Sequence, residues 1–145
     1  MRRLRDEDGS TLLLTIFYSA LCLALILLVV AATSLYLERK RLFTLADGAS
    51  LVGAEAFTLA DPTTPTPHGT RPILTSPEVA SAVSDYLADN PADHFTDLHV
   101  ERAVSADGRS ATVELPCYWA PPVLTVFIPK GFRIQVTSIA RSVFS

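Results

Sequence analysis

The stretch DEDGSTLLLTIFYSALCLALILLVVAATSLYLERKR, residues 6–41, decides how the rest of the chain is organised. Between Asp8 and Glu38 it has no charged side chain, and from Thr11 to Leu37 it also has no proline. An α-helix rises about 1.5 Å per residue, so the segment 11–37 would be about 40 Å long. This exceeds the roughly 30 Å hydrocarbon core of a bilayer. The segment therefore predicts a helix that crosses a membrane, preceded by a charged tail over residues 1–10.

Two alternatives to a membrane anchor are a signal peptide and a buried core helix. The apolar core of a signal peptide is about 7–15 residues long and ends at a small-residue cleavage site. The segment AATS at residues 31–34 would suit such a site, but the helical pattern continues beyond it. A core helix is disfavoured because one small domain cannot surround so long an apolar helix. A retained, single-pass anchor in the cell membrane is the prediction.

The orientation of this anchor does not follow from charge. Three basic residues precede the apolar segment and three follow it, at positions 39–41, so the positive-inside rule gives no preference. Most of the chain lies after the segment. A short tail in the cytoplasm and an extracytoplasmic C-terminal domain is the simpler arrangement.

The helix is expected to continue beyond the membrane, over residues 38–60, until the sequence Asp61-Pro62 ends it. Small residues recur at three- and four-residue steps along this extension, and they are Ala46, Ala49, Ser50, Gly53 and Ala54. A face of small residues lets another helix approach closely, so these five are the candidate assembly residues. The alternative is an ordinary amphipathic helix whose face packs on the chain's own domain.

A charged tail that ends in a glycine, a long apolar helix, a basic cluster and the segment LADGASLVGAEAF at residues 45–57 follow one another here. This order resembles the TadE/TadG-like proteins of tight-adherence (Flp) pilus systems, of the actinobacterial type. The resemblance covers roughly residues 6–57 of the chain. It implies a pilin-like or accessory envelope protein in pilus assembly or secretion. The implied partners are other pilin-like or pilus-assembly proteins, with a homo-oligomer as one form.

The same resemblance makes Gly9 the candidate processing site. Pilin-like relatives that a prepilin peptidase cleaves carry a glutamate at the fifth position after the glycine. Here that position is Leu14. Cleavage after Gly9 is therefore not expected, and an uncleaved, anchored accessory protein fits better than a pilus subunit.

The remainder of the chain predicts a small α+β domain over residues 77–145. Five of the ten prolines fall in residues 61–77, which predicts a Pro-rich linker over 61–76. Ser76, Pro77 and Glu78 have the residue types of a helix start, with Ser76 as the N-cap, and the helix is expected to reach Asp89. It would pack on an antiparallel sheet of about three strands.

Alternating apolar residues mark the three strands. In the first, Leu98, Val100 and Val104 are expected to face the core, and the turn at Asp107-Gly108 makes a hairpin to the second. The inward residues expected in the second and third strands are Ala111, Val113, Leu115, Cys117, Ile134, Val136, Ser138 and Ala140.

Between the second and third strands lies the apolar sequence CYWAPPVLTVFIPKGF, residues 117–132. One interpretation is a loop folded over the edge of the sheet. The other is an exposed patch for a partner or for the membrane surface. The candidate patch residues are Tyr118, Trp119, Val123, Leu124 and Phe127.

Charge and motifs exclude several functions. The net charge is −3, and after Leu42 there are 6 basic and 11 acidic residues, so no basic surface for nucleic acid is expected. No metal-ligand spacing, nucleophile elbow or phosphate loop occurs, so neither an enzyme nor a cofactor or metal site is predicted. The sequence indicates a non-catalytic, membrane-anchored envelope protein. The alternative is an anchored binding or sensor domain unrelated to pili. Gly53→Leu would separate the two, because it should abolish association and leave the domain folded only if residues 46–54 drive assembly.

Overall fold

The computed structural model describes residues 8–56, 73–90, 92–121 and 131–141, and side chains from residue 11 onward. Its elements in chain order are helix α1 (Asp8–Glu55), helix α2 (Ser76–Asp89) and strands β1 (Arg102–Val104), β2 (Ser110–Trp119) and β3 (Phe132–Arg141). The strands form one antiparallel sheet in the order β1-β2-β3. The α+β fold expected from the sequence is confirmed. The predicted Pro-rich linker lies mostly outside the described residues.

Helix α1 is a single element with two different environments. Its first part is exposed on all sides, as Phe17 with 63% of its surface accessible illustrates. By length and composition it is the one helix in the described ranges that could cross a membrane. From Leu42 onward, one face of the same helix is buried in the core of the domain. The helix ends at Glu55, five residues before the predicted end at 60.

The sheet covers that face of α1. Strands β2 and β3 pair along their whole length, from Ser110 opposite Arg141 to Trp119 opposite Phe132. Side chains alternate between the two faces of a strand, so every second residue points at the helix. The buried inward residues of the two strands are Ala111, Val113, Leu115, Cys117, Val136, Ser138 and Ala140, as predicted, and Ile134 is partly buried against them.

The first strand differs from its prediction. Ala103, expected to face solvent, is buried, whereas Val100 is exposed and Val104 is only half-buried. Ala103 pairs with Val113, and residues directly opposite in an antiparallel pair share a face. Register with β2 therefore places Ala103 toward the helix. The hydrophobic pattern of a three-residue strand is too short to have fixed this phase.

Helix α2 packs beside α1 and runs in the opposite direction. Val79, in its first turn, lies beside Gly53, and Tyr86, near its end, lies beside Gly48. Its N-cap is Thr75 rather than the predicted Ser76. The carboxylate of Glu78 accepts hydrogen bonds from the backbone N–H and the hydroxyl of Thr75, at 3.0 Å and 2.7 Å. Ser76 instead links α2 to the sheet.

The link is made by the side chain of Ser76 and the backbone of Ser105, which directly follows β1. The Ser76 hydroxyl donates to the carbonyl of Ser105, and the Ser105 N–H donates to the Ser76 oxygen at 3.1 Å. The start of α2 is thereby fixed to the residue that follows β1. Since α2 is antiparallel to α1, its C-terminal end lies on the side of the domain nearer to the apolar part of α1.

Candidate functional site

The apolar helix joins the domain in a region that we call the junction. It comprises residues 34–54 of α1 and the strand and α2 residues that contact them. Four of the five predicted assembly residues there, Ala46, Ala49, Ser50 and Ala54, have at most 2% of their surface exposed. A Cβ atom at the fifth, Gly53, would lie 3.1 Å from Val79 Cγ1 and 3.2 Å from Ala111 Cβ.

These residues are small because the chain's own sheet and α2 approach the helix closely. That is the second of the two interpretations drawn from the sequence. In the folded chain the face is covered, and packing against a second protein would require the sheet or α2 to be displaced. In the folded chain this face therefore has an intramolecular role, for which small side chains are equally necessary, and its use in packing against another protein stays a prediction.

A polar link crosses the junction between α1 and β3. The Ser138 hydroxyl lies 3.1 Å from Asp47 Oδ1 and 3.1 Å from the Ser50 oxygen. The Ser50 hydroxyl donates to the backbone carbonyl of Asp47 at 2.9 Å. Ser50 and Ser138 are buried, so these bonds satisfy groups that would otherwise be costly to remove from water. The link holds the middle of β3 at one position along the helix.

A second polar contact lies further toward the apolar part of α1. The indole N–H of Trp119, the last residue of β2, donates to the Ser34 hydroxyl at 3.3 Å. The ring of Trp119 stacks against Phe132, the first residue of β3, with centroids 6.5 Å apart. The sheet therefore reaches down α1 as far as Ser34, which is inside the segment 11–37 assigned to the membrane.

The thiol of Cys117 faces α1 between these two contacts. Burial raises the pKa of this thiol to about 11, and the negative charge of Glu38 acts in the same direction. A thiol with such a pKa is protonated at neutral pH and is a poor nucleophile. Both cysteines are free, and Cys22 lies exposed on the apolar part of α1. Cys117 serves here as a small core residue.

Shallow grooves border the junction, and two of them lie between α1 and another element. One, of about 390 Å³, lies between α1 and β3 and is lined by Ala32, Leu35, Tyr36, Arg39, Ile134 and Gln135. The other, of about 660 Å³, lies between α1, the end of α2 and the segment that follows; its polar lining includes Arg41, Asp89 and His94. No group of three or more His, Cys, Asp or Glu side chains in the described ranges is placed to hold a metal ion.

The remaining predicted site residues are only partly within the described chain. Tyr118 is half-buried at the end of β2, where its N–H donates to the carbonyl of Thr96, and Trp119 is buried. Val123, Leu124 and Phe127 lie outside the described residues. Gly9 falls in the first turn of α1.

Sequence reasoning missed the roles of Ser34 and Ser138. Ser138 occupies an inward position of a strand, and a polar residue at such a position indicates a buried hydrogen bond. Ser34 stands in an apolar run with no comparable signal. Its partner, Trp119, lies 85 residues away in the chain and meets it only through the folding of the sheet.

The fold and the junction define a class of protein: a small α+β domain built around the continuation of an apolar helix that is long enough to cross a membrane. Residues 9–56 match the model of the TadE/G-like Flp pilus-assembly family, called Tad. The resemblance recognised in the sequence is therefore confirmed over this segment, which carries a TadE/G-like domain and coincides with α1. Comparisons with curated proteins and with solved structures gave no match.

Proposed function

We propose that this chain is a single-pass, non-catalytic component of an Flp/Tad pilus-assembly or secretion machine, with its C-terminal domain outside the cytoplasm. The observation that carries the proposal is the coincidence of the family match, residues 9–56, with one uninterrupted helix. The apolar part of that helix would anchor the chain. The other part of the helix contributes to the core of the domain. One continuous helix therefore connects the anchor to the domain, with no break in its described residues.

Contact with other pilus-assembly proteins, or with a second copy of this chain, is proposed for the face of α1 that the sheet leaves uncovered. Phe43 and Leu51 on this face are 49% and 52% exposed. Tyr36, Phe43 and Leu51 follow one another at helical spacing, so they lie along one side of the helix. This face replaces residues 46–54 as the candidate assembly surface, because it is accessible in the folded chain.

Deletion of the gene in the native host tests the function, and complementation tests the surface. We expect deletion to abolish surface pili, measured in sheared-cell fractions, and wild-type protein to restore them. The double variant Phe43→Ser/Leu51→Ser should fail to restore them at an equal protein level. Ile139→Ser is the matched control, because Ile139 is 67% exposed on the other side of the sheet.

The outcomes separate the two parts of the proposal. Normal pili in the deletion strain would refute the function. Loss of pili on deletion with full rescue by the double variant would keep the function and refute the surface.

The intact mass of the protein from native membranes tests the accessory role. Retention of residues 1–9 is expected, because Leu14 replaces the glutamate that processing requires in pilin-like relatives. Loss of residues 1–9 would instead indicate a processed pilus subunit, and a mass that begins after Ala32 would indicate a cleaved signal peptide.

A binding or sensor domain is the second candidate. The groove with Arg41, Asp89 and His94 favours it, because it brings a cation, a carboxylate and an imidazole to one concave surface. Normal pili in cells that carry the deletion would direct attention to this groove.

A further inference from the structure

We propose that one end of the sheet lies in the headgroup layer of the membrane that anchors the chain. This sheet end consists of Tyr118 and Trp119 of β2 with Phe132 and Arg133 of β3. The inference rests on the proposed membrane anchoring and adds where the domain sits. Its ligand is the phospholipid headgroup region of the same bilayer.

The first argument is a length. A spanning helix uses about 20 residues, so a span that begins at Thr11 leaves the hydrocarbon near Val30. The apolar segment continues to Leu37 and is therefore about seven residues longer than the hydrocarbon requires. These additional apolar residues lie beyond the acyl chains, so something other than the acyl chains must cover them.

The sheet supplies that cover at the matching level. Helix α1 is exposed through most of its first part, and then Ala31, Ser34 and Leu35 become half-buried. Ser34 is the residue that Trp119 contacts. At about 1.5 Å per residue, Ser34 lies about 6 Å beyond Val30. The headgroup layer is about 5–7 Å thick on each side of the hydrocarbon. The sheet end thus falls within this layer.

The second argument is the chemistry of the sheet end. Tryptophan and tyrosine are enriched at membrane–water interfaces because their rings are apolar and each carries one polar group. Trp119 and Tyr118 close β2, and Tyr36 projects from α1 two residues beyond Ser34. Phe132 is 52% exposed at the same end, an apolar surface that the interface would cover. Arg133 adds a cation that suits phosphate.

The third argument is the groove between α1 and β3. Ala32 and Leu35 line it on the side of the membrane, and Arg39 lines it about one to two turns further from the membrane. Leu35 and Arg39 lie about 7.5 Å and about 13.5 Å beyond Val30, so the groove runs from the headgroup layer toward the aqueous phase. The flexible side chain of Arg39 can reach back along the helix to a lipid phosphate. The groove therefore adds a cation that suits a phosphate of the headgroup layer, as Arg133 does at the sheet end.

Trp119 makes this testable because it is the one tryptophan in the sequence. The full chain is placed in vesicles of phosphatidylcholine and phosphatidylglycerol, with bromine either near the headgroup end or near the methyl end of the acyl chains. We expect the fluorescence of Trp119 to fall more with the shallow bromines than with the deep ones. The variant Trp119→Phe/Phe132→Trp, with a more exposed indole, should show the same order.

Two control variants calibrate how quenching depends on the depth of the indole in the bilayer. Trp119→Phe/Phe17→Trp places the indole in the apolar part of α1, where deep bromines should quench it most. Trp119→Phe/Ile73→Trp places it beside Gly108, at the opposite end of β2, where aqueous iodide should quench it and neither lipid should.

The results distinguish the new inference from the proposed anchoring. Quenching of the Phe17→Trp protein by deep bromines, with no lipid quenching of Trp119 or of the Phe132→Trp protein, would leave the anchor in place and overturn the position of the sheet end. This pattern of quenching is expected if another protein, and not lipid, covers the sheet end. No lipid quenching in any variant would overturn the anchor as well.

Discussion

Asp107 illustrates at the scale of a residue how a turn is stabilised by charge. Its carboxylate accepts hydrogen bonds from the N–H groups of Arg109 and Ser110, at 2.9 Å and 2.7 Å, and from the Ser110 hydroxyl. These bonds favour the ionised form, and the bond from Arg109 contributes most. They lower the pKa of Asp107 from its ordinary value of 3.8 to about 2. Gly108, with φ +68°, allows the chain to turn between them.

A pH dependence follows from this lowered pKa. The pKa of Asp107 is lower in the folded protein than in the unfolded one. The ionised carboxylate therefore contributes fully to the stability of the fold above about pH 4, and this contribution is lost as the pH falls through 2. Asp107→Asn removes the titration and keeps an oxygen that accepts from the backbone. In urea-unfolding experiments in detergent micelles, we expect the free energy of unfolding of this variant to fall less steeply between pH 4 and 2 than that of the wild type. Equal slopes for the variant and the wild type would contradict the role of Asp107.

At the scale of an element, the closeness of α1 to the sheet and α2 depends on Gly53. Val79, Val83 and Ala111 surround the position where its side chain would be. A leucine there has no room, since backbone elements on two sides would have to move. The same change therefore no longer distinguishes assembly from sensing, because it would destabilise the domain in either case.

We expect Gly53→Leu to lower the free energy of unfolding by at least about 2 kcal/mol. Urea unfolding followed by Trp119 fluorescence measures this in the full chain. Thr44→Leu is the matched control on an exposed position of the same helix, and it should change the free energy by no more than about 0.5 kcal/mol. Similar stabilities for the two leucine variants would mean that the sheet does not pack on Gly53 as described.

At the scale of the whole molecule, the continuity of α1 sets the topology of the chain. The apolar part and the core part share one helix, so the tail and the domain lie on opposite sides of any membrane that the helix crosses. The proposal places the domain outside the cytoplasm. Burial and a raised thiol pKa protect Cys117 from alkylation, which makes cysteine labelling a clean probe of this arrangement.

In a Cys22→Ser background, we expect Ile73→Cys to react with a membrane-impermeant maleimide in intact cells, because Ile73 is exposed on the domain. Arg5→Cys, in the tail, should react only after the membrane is permeabilised. The background protein alone should stay unlabelled. The reverse pattern of labelling would place the domain in the cytoplasm and would exclude the proposed pilus contacts.

Much of this architecture was predictable from local patterns. Strand alternation from Ala111 to Cys117 and from Ile134 to Ala140 gave the correct inner faces, because both strands are long enough to repeat the period several times. The phase of β1 and the cap of α2 were mispredicted. Pairing with Val113 fixed the first, and the reach of Glu78 to Thr75 fixed the second. Both depend on a particular partner, which a short pattern does not specify.

By itself, the sequence determined the long apolar helix, its continuation into a face of small residues, the α+β class and the Tad family resemblance. The first three follow from composition or from the periodicity of individual segments, and the resemblance follows from the order of the charged tail, the apolar helix, the basic cluster and the segment at residues 45–57. Only the tertiary structure decided what the small residues face, because Gly53 could accommodate a foreign helix or the chain's own sheet equally well. It also decided how far the sheet descends along α1. The contact of Trp119 with Ser34 joins distant parts of the chain, and no local preference encodes it.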